Sequence, residues 1–392
     1  YAQSQFFTAL PSTLETETVD GVTTTTTTSG FTRVGGTGSV AIGEGANTGS
    51  IDVVALEGAS IVNNGAVGSE TEFDYLFASS NTQEGATVTV SSMDGADSSF
   101  NRVQTATSIG STASIIVGDG ASVSGFVEAR GFESADVRID GAVGNDAFNS
   151  NVAAISRSSD FEGMDTSTTV GSVSTSGFSQ ASATVGGAAS VDVGETGSVT
   201  GGVQAIGFAG ATIELDGAVG TEASPSFVVA SSRGTNSTFS QNNTFDSSTG
   251  ASDFAQSSNN SSTGSDASIA IGETGLVNGF VEANADGNAS VSNDGEVSAS
   301  LFAKADGSTN SNAFASSFDG ASFNQSSQSS SSESTGGTAT IAVGETGTVG
   351  DGVDASGFAG ANVSIDGSVG TPGASGFAVA NSSGNASTFE QE

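Results

Sequence analysis

Five acidic residues recur at similar turns along the chain and could bind a cation. Each follows a glycine, and they are Glu44, Asp119, Glu195, Glu273 and Glu345. If these turns stack in register, the carboxylates share an edge, and Ca²⁺ would relieve their repulsion because it takes carboxylate and carbonyl oxygens. The string GETG supplies one carboxylate where a calcium cage needs several. The sequence therefore leaves two interpretations, a Ca²⁺ site or solvated turn residues.

A second recurring pattern is Phe-x-Gln. Residues at i and i+2 point to the same face of a strand. The pair predicts a core phenylalanine beside a glutamine whose amide hydrogen-bonds along a stack. A row of ligand-binding side chains is the alternative. The pattern occurs at Phe178/Gln180, Phe239/Gln241, Phe254/Gln256, Phe323/Gln325 and Phe389/Gln391.

Asparagines in Asn-x-Ser/Thr strings are candidate glycosylation sites. They cluster in stretches rich in Ser and Asn, where a surface glycan would fit. Chance also produces such strings in a chain of this composition. The candidates include Asn236, Asn242, Asn259 and Asn385.

Composition argues against catalysis and against two classes of partner. The chain has no His and no Cys, so the common general base and the thiol nucleophile are missing. We therefore predict that it is not an enzyme. A formal charge of −36 disfavours nucleic acid and anionic membrane surfaces. The sequence contains no run of 18 apolar residues, so we predict no insertion into a membrane.

The candidate residues belong to five diverged repeats of about 75 residues. The glycines that precede the recurrent acids are 72 to 78 residues apart. The predicted organisation is an N-terminal arm over 1–37, repeats over 38–112, 113–188, 189–266 and 267–338, and a truncated repeat over 339–392.

Alternation within each repeat predicts strands. In ASVDVGE, Ala189, Val191 and Val193 alternate with Ser190 and Asp192, and glycines punctuate the runs. Such short, one-faced strands predict an all-β parallel solenoid, because a coil buries its apolar side only by stacking on its neighbours. Each repeat contains three related segments of roughly 25 residues, which we call lines. Three lines predict three coils per repeat, about fifteen coils in total and a solenoid about 70 Å long. Tandem small β-sandwich domains are the alternative.

The string ASVDVGETGSV followed by ATIELDGAVG resembles the coils of secreted bacterial β-solenoid surface proteins, such as filamentous adhesins and autotransporter passenger domains. The resemblance covers residues 38–392 as a style of repeat. It implies a secreted protein at the cell surface with a structural or adhesive role.

Partial repeats at both ends suggest assembly. The start at Tyr1 is expected to follow removal of a signal peptide. The final string ASTFEQE matches the beginning of a third line, and 1–37 precedes the first full repeat. We therefore expect a head-to-tail extracellular homopolymer whose joint involves Phe6, Phe7, Phe389 and Gln391. A monomeric adhesin for glycans or surfaces is the alternative, and a polysaccharide-degrading β-helix enzyme is a weaker one.

Overall fold

The computed structural model describes the backbone of 2–19, 22–145, 147–321, 323–371, 374–383 and 387–391. Side chains are described in the same residues, apart from 2–11, 33–34, 323–327, 374 and 387–391. The described residues form β-strands joined by turns, and none of them lies in a helix that could cross a membrane.

Three parallel sheets form the walls of a solenoid, and each coil contributes one strand to each wall. Sheet 1 contains β3 (Thr37–Ile42), β6 (Gly58–Asn63), β10 (Thr112–Val117), β13 (Ser134–Ile139), β18 (Ala188–Val193), β21 (Gly210–Leu215), β26 (Ala267–Ile271), β29 (Ala289–Asn293), β34 (Thr338–Val343), β37 (Gly360–Ile365) and β41 (Ser387–Gln391).

The second wall, sheet 2, is made of very short strands. It contains β4 (Asn47–Thr48), β7 (Ala66–Val67), β11 (Ser122–Val123), β14 (Ala142–Val143), β19 (Ser198–Val199), β22 (Ala218–Val219), β27 (Leu276–Val277), β30 (Glu296–Val297), β35 (Thr348–Val349) and β38 (Ser368–Thr371), with β39 (Ala374–Ser375) antiparallel to β38.

Sheet 3 closes each coil. It contains β5 (Ile51–Ala55), β12 (Val127–Gly131), β15 (Val152–Ser156), β20 (Val203–Gly207), β23 (Ser226–Ser232), β28 (Gly279–Ala285), β31 (Leu301–Ala305), β36 (Gly352–Gly357) and β40 (Phe377–Ser382). The first residues of β1 (Ala2–Val19) and β8 (Leu76–Asp94) pair in the same wall.

The core runs along the axis of the solenoid. In β10 the residues Ala113, Ile115 and Val117 are fully buried, and the residues between them face outward. Ile115 lies in register with Ile61 on one side and Val137 on the other. Identical inward positions therefore stack coil on coil, and the predicted parallel β-solenoid is confirmed.

The third line of each of the first four repeats is not a coil. It leaves the solenoid as an antiparallel hairpin, and these four hairpins pair side by side with the hairpin of the N-terminal arm into a ten-stranded sheet, which we call the blade. Its strands in order are β1, β2 (Val22–Gly35), β8, β9 (Asp97–Gly110), β16 (Ser158–Val170), β17 (Val173–Val185), β24 (Gly234–Asp246), β25 (Ala251–Thr263), β32 (Gly307–Asp319) and β33 (Phe323–Thr335).

Two coils per repeat explain why the blade is continuous. Two coils rise by about 9.6 Å, which is also the width of a two-stranded hairpin at about 4.8 Å per strand. Successive hairpins therefore meet edge to edge without a gap. The predicted three coils per repeat and length of about 70 Å were wrong, because hairpins add no rise. The eleven strands of sheet 1 give a solenoid of about 50 Å.

Candidate interaction surface

The register of the blade decides which side chains share a face, because directly opposed residues of neighbouring strands point the same way. One row across four strands shows this: Phe31 pairs with Gly85, Gly85 with Ala106, and Ala106 with Phe161. The two phenyl groups therefore stand on the same side of the sheet.

Every phenylalanine whose side chain is described in the blade lies on that side, which we call the aromatic face. Five of these rings are between 37% and 46% exposed, and the others are half-buried. They are Phe31, Phe100, Phe161, Phe178, Phe239, Phe245, Phe254, Phe314 and Phe318. The prediction that the Phe-x-Gln phenylalanines are core residues is wrong for Phe178, Phe239 and Phe254, because their strands leave the solenoid. The side chains of the other two pairs lie outside the described residues.

The aromatic face has ridges and a groove. Rings of Phe178 and Phe239 pack with centroids 5.9 Å apart, and Phe254 and Phe314 repeat this contact one repeat later at 5.9 Å. Between Phe31 and Phe161 the small residues Gly85 and Ala106 leave a groove of about 500 Å³. The ring of Phe31 leans over Gly85, where a Cβ would lie 3.1 Å from Cε1 of that ring.

The opposite side of the blade is a hydroxyl face. Serine pairs bridge neighbouring strands there, as between Ser92 and Ser99 (2.7 Å) and between Ser240 and Ser257 (2.7 Å). A small apolar group, Val88, Val103 and Met164, also lies on this face. The candidate glycosylation residues Asn236, Asn242 and Asn259 are exposed on it. Asn385 lies outside the described residues.

Charge is divided unequally between the two faces. On the aromatic face, from the row of Phe31 to the row of Phe318, the described side chains include one cation and one anion, Arg102 and Asp165, directly opposite each other. The hydroxyl face has no described Lys or Arg among its acids. These acids are Glu15, Glu17, Glu84, Asp160, Glu162, Asp253 and Glu333.

The hairpin tips add further carboxylates. At the tip between β24 and β25, Asp246 accepts hydrogen bonds from the Ser248 hydroxyl (2.7 Å) and the Ser248 backbone N–H (2.9 Å). The side-chain bond from Ser248 is the main reason why the pKa of Asp246 lies well below its usual range. This carboxylate therefore stays charged in mildly acidic solution and fixes the turn.

The five recurrent acids lie at the corner between sheets 1 and 2, and all are exposed. Their GETG strings have a packing role. Thr196 donates a hydrogen bond to the backbone oxygen of Asp140 (2.7 Å), and Gly194 leaves room for the Asp140 carboxylate. No group of three or more acidic side chains that could hold a metal occurs in the described part of the chain. Glu44, Asp119, Glu195, Glu273 and Glu345 therefore show no shared ligand cage that would support a Ca²⁺ site.

A second groove, of about 350 Å³, lies on the outer side of sheet 3. Phe126 and Phe227 stand at its two ends, with Asn151, Glu128 and Gln204 along it. Asn151 accepts a hydrogen bond from the Gly202 backbone N–H (2.7 Å), which fixes the orientation of its amide. Stacking rings beside amide groups can bind a flat polar ligand.

The predicted joint residues cannot be placed as side chains. The backbones of Phe6 and Phe7 lie in β1, paired with β2, and those of Phe389 and Gln391 lie in β41, paired with β37 of sheet 1. All four side chains lie outside the described residues. The backbone pairing of β41 differs from the expected start of a third line, because it continues sheet 1 directly.

Sequence reasoning missed the aromatic face, although a signal was present. Phenylalanines within one hairpin strand, such as Phe239 and Phe245 in β24, are separated by an even number of residues. Comparison with known proteins finds no matching family model, no matching curated protein and no matching solved structure.

Proposed function

We propose that this protein is a structural subunit of an extracellular filament or surface fibre in which copies of the chain contact one another. The blade carries this proposal. It is a single layer of strands about 40 Å wide and about 40 Å long, and the described residues place no second layer on either face. Sheets in soluble domains normally bury one face against another element. A sheet left open on both sides provides an extended contact surface.

The solenoid gives this surface a rigid support. Its buried aliphatic core is continuous from coil to coil, as in the stack of Ile61, Ile115 and Val137. The charge of −36 opposes random association, so specific contacts must overcome repulsion. The head-to-tail joint through the terminal strands stays a prediction within this proposal.

Electron microscopy and sedimentation test the proposal. The purified chain should form regular assemblies that grow with protein concentration. Discrete particles with a solenoid of about 50 Å at every concentration would contradict a structural subunit.

The groove between Phe126 and Phe227 favours a second candidate, a glycan-binding adhesin. In that case the monomer should bind soluble oligosaccharides, and Phe227→Ala should weaken binding at least tenfold. Ala153→Ser, a small change on the groove floor, provides a control for the fold. Regular assemblies without any oligosaccharide binding would favour the structural subunit instead.

A further inference from the structure

The aromatic face is the side of the blade on which the phenylalanine side chains are exposed to solvent. Phe245 is 46% exposed, and Met93 in the same outer row is 61% exposed. Monomeric soluble proteins rarely expose contiguous apolar patches larger than a few hundred Å². The whole face, with its rings and the uncharged polar side chains between them, covers on the order of 1,600 Å², about twice the 800 Å² per partner of a standard interface.

Charge indicates which partner fits. In a chain with a charge of −36, the described side chains of the aromatic face between the rows of Phe31 and Phe318 include only one charged pair, Arg102 opposite Asp165. A cationic partner would be drawn to the hydroxyl face, where the acids are. A second copy of the chain is the partner whose own matching surface is equally uncharged, so two aromatic faces can meet with little local repulsion.

The ridge and the groove of the aromatic face also have complementary positions across the strands. The groove between Phe31 and Phe161 is centred between β8 and β9, one and a half strands to one side of β16. The ridge of Phe178 and Phe239 is centred between β17 and β24, one and a half strands to the other side. A two-fold axis along β16 therefore places the ridge of each copy over the strands that line the groove of the other. Along the strands the ridge begins two residues nearer the hairpin tip than the row of Phe161, because Phe239 lies in the row of Gly163 and Phe178 opposes Asp165.

We infer that the aromatic face binds the aromatic face of a second copy, as a two-fold pair centred on β16. This inference rests on the proposed structural function and names one contact between copies. Because a two-fold contact closes on itself, growth into a filament needs the head-to-tail joint in addition. The pair leaves the hydroxyl faces outward, together with their acids and the candidate glycosylation residues Asn236, Asn242 and Asn259. Glycans at these positions would not obstruct the contact.

Cysteine labelling tests which face is covered. The chain has no native cysteine, so one substitution introduces one thiol. Ser167 and Thr168 are adjacent exposed residues of β16, with Ser167 on the aromatic face and Thr168 on the hydroxyl face. Maleimide should label Ser167→Cys at least tenfold more slowly in assembled than in dispersed protein. Thr168→Cys should react equally fast in both.

A charge variant provides the second measurement. Phe178→Glu and Ser179→Glu add the same charge at neighbouring positions of β17, on the aromatic and hydroxyl faces respectively. Phe178→Glu should weaken self-association at least tenfold by sedimentation, and Ser179→Glu should leave it nearly unchanged. Both variants should keep the β-sheet circular dichroism of the parent.

The outcomes separate this inference from the proposed function. Assemblies in which Ser167→Cys stays fully reactive, or in which Thr168→Cys is the protected residue, would overturn the aromatic contact while the structural function stands. A chain that stays monomeric at all concentrations would overturn both. Equal effects of Phe178→Glu and Ser179→Glu would also contradict a contact through the aromatic face.

Discussion

At the scale of single residues, glycines at the solenoid corners set how closely the coils approach. A Cβ on Gly217 would lie 2.3 Å from the backbone oxygen of Gly197 and 2.4 Å from that of Gly194. Both oxygens belong to the preceding coil, and the Gly197 oxygen accepts a hydrogen bond from Ala218 (3.0 Å). The corner can therefore stack only if this position lacks a side chain. By contrast, a Cβ on Gly43 would meet nothing within 4 Å.

We predict that Gly217→Ala lowers the free energy of unfolding by about 1–3 kcal/mol, the usual cost of overpacking. The physical reason is that the added methyl group forces two backbone carbonyls away. Gly43→Ala is the matched control and should have almost no effect. Denaturant unfolding followed by circular dichroism measures both variants, and equal losses would contradict the close approach at Gly217.

At the scale of elements, the hairpins and the coils are stabilised by different interactions. Coils bury aliphatic side chains around the axis, as Leu301 and Ile341 do in successive coils. Hairpins contribute paired backbone and half-exposed rings. The ends of each hairpin lie side by side, since Gly307 directly opposes Thr335 at the base of β32 and β33. The chain can therefore pass from one coil to the next without the hairpin.

We predict that deleting residues 307–335 leaves a folded solenoid. The deletion joins Asp306 to Gly336 and removes β32 and β33, while every buried core residue of the solenoid remains. The β-sheet signal should persist with a clear thermal transition. Leu301→Ala is the comparison, because removing these buried atoms should cost about 2–5 kcal/mol. A deletion variant that is unfolded at 25 °C would show that the hairpins hold the coils together.

At the scale of the whole molecule, charge and apolar surface are segregated. The acids lie on the outer faces and corners of the solenoid, at the hairpin tips and on the hydroxyl face, and the aromatic face is left nearly uncharged. Long-range repulsion between copies therefore opposes a contact that is itself apolar. Salt weakens the repulsion between copies, because it screens charges. Salt does not screen the burial of apolar surface, so the contact itself is kept.

We predict that self-association strengthens as ionic strength rises from about 10 mM to about 150 mM, over which the screening length falls from about 30 Å to about 8 Å. Sedimentation velocity across a NaCl series measures this, with Phe178→Glu as the variant that should stay dispersed. Weaker association at higher salt would instead indicate an ionic contact. A stronger effect of CaCl₂ at matched ionic strength would support cation binding by the corner acids.

The sequence by itself determined the strands, the corners and the parallel solenoid. Alternation such as Ala189, Val191 and Val193 makes one apolar side per strand, and only stacking buries that side. Local pattern could not show that the third line leaves the axis, because its period of two suits a coil and a hairpin equally. The aromatic face was likewise decided by tertiary structure. Phe178 and Phe239 share a face only through the register of β17 with β24, and a slip by one residue would reverse it. The solenoid makes these strands neighbours, because the two coils of each repeat rise by about the width of one hairpin.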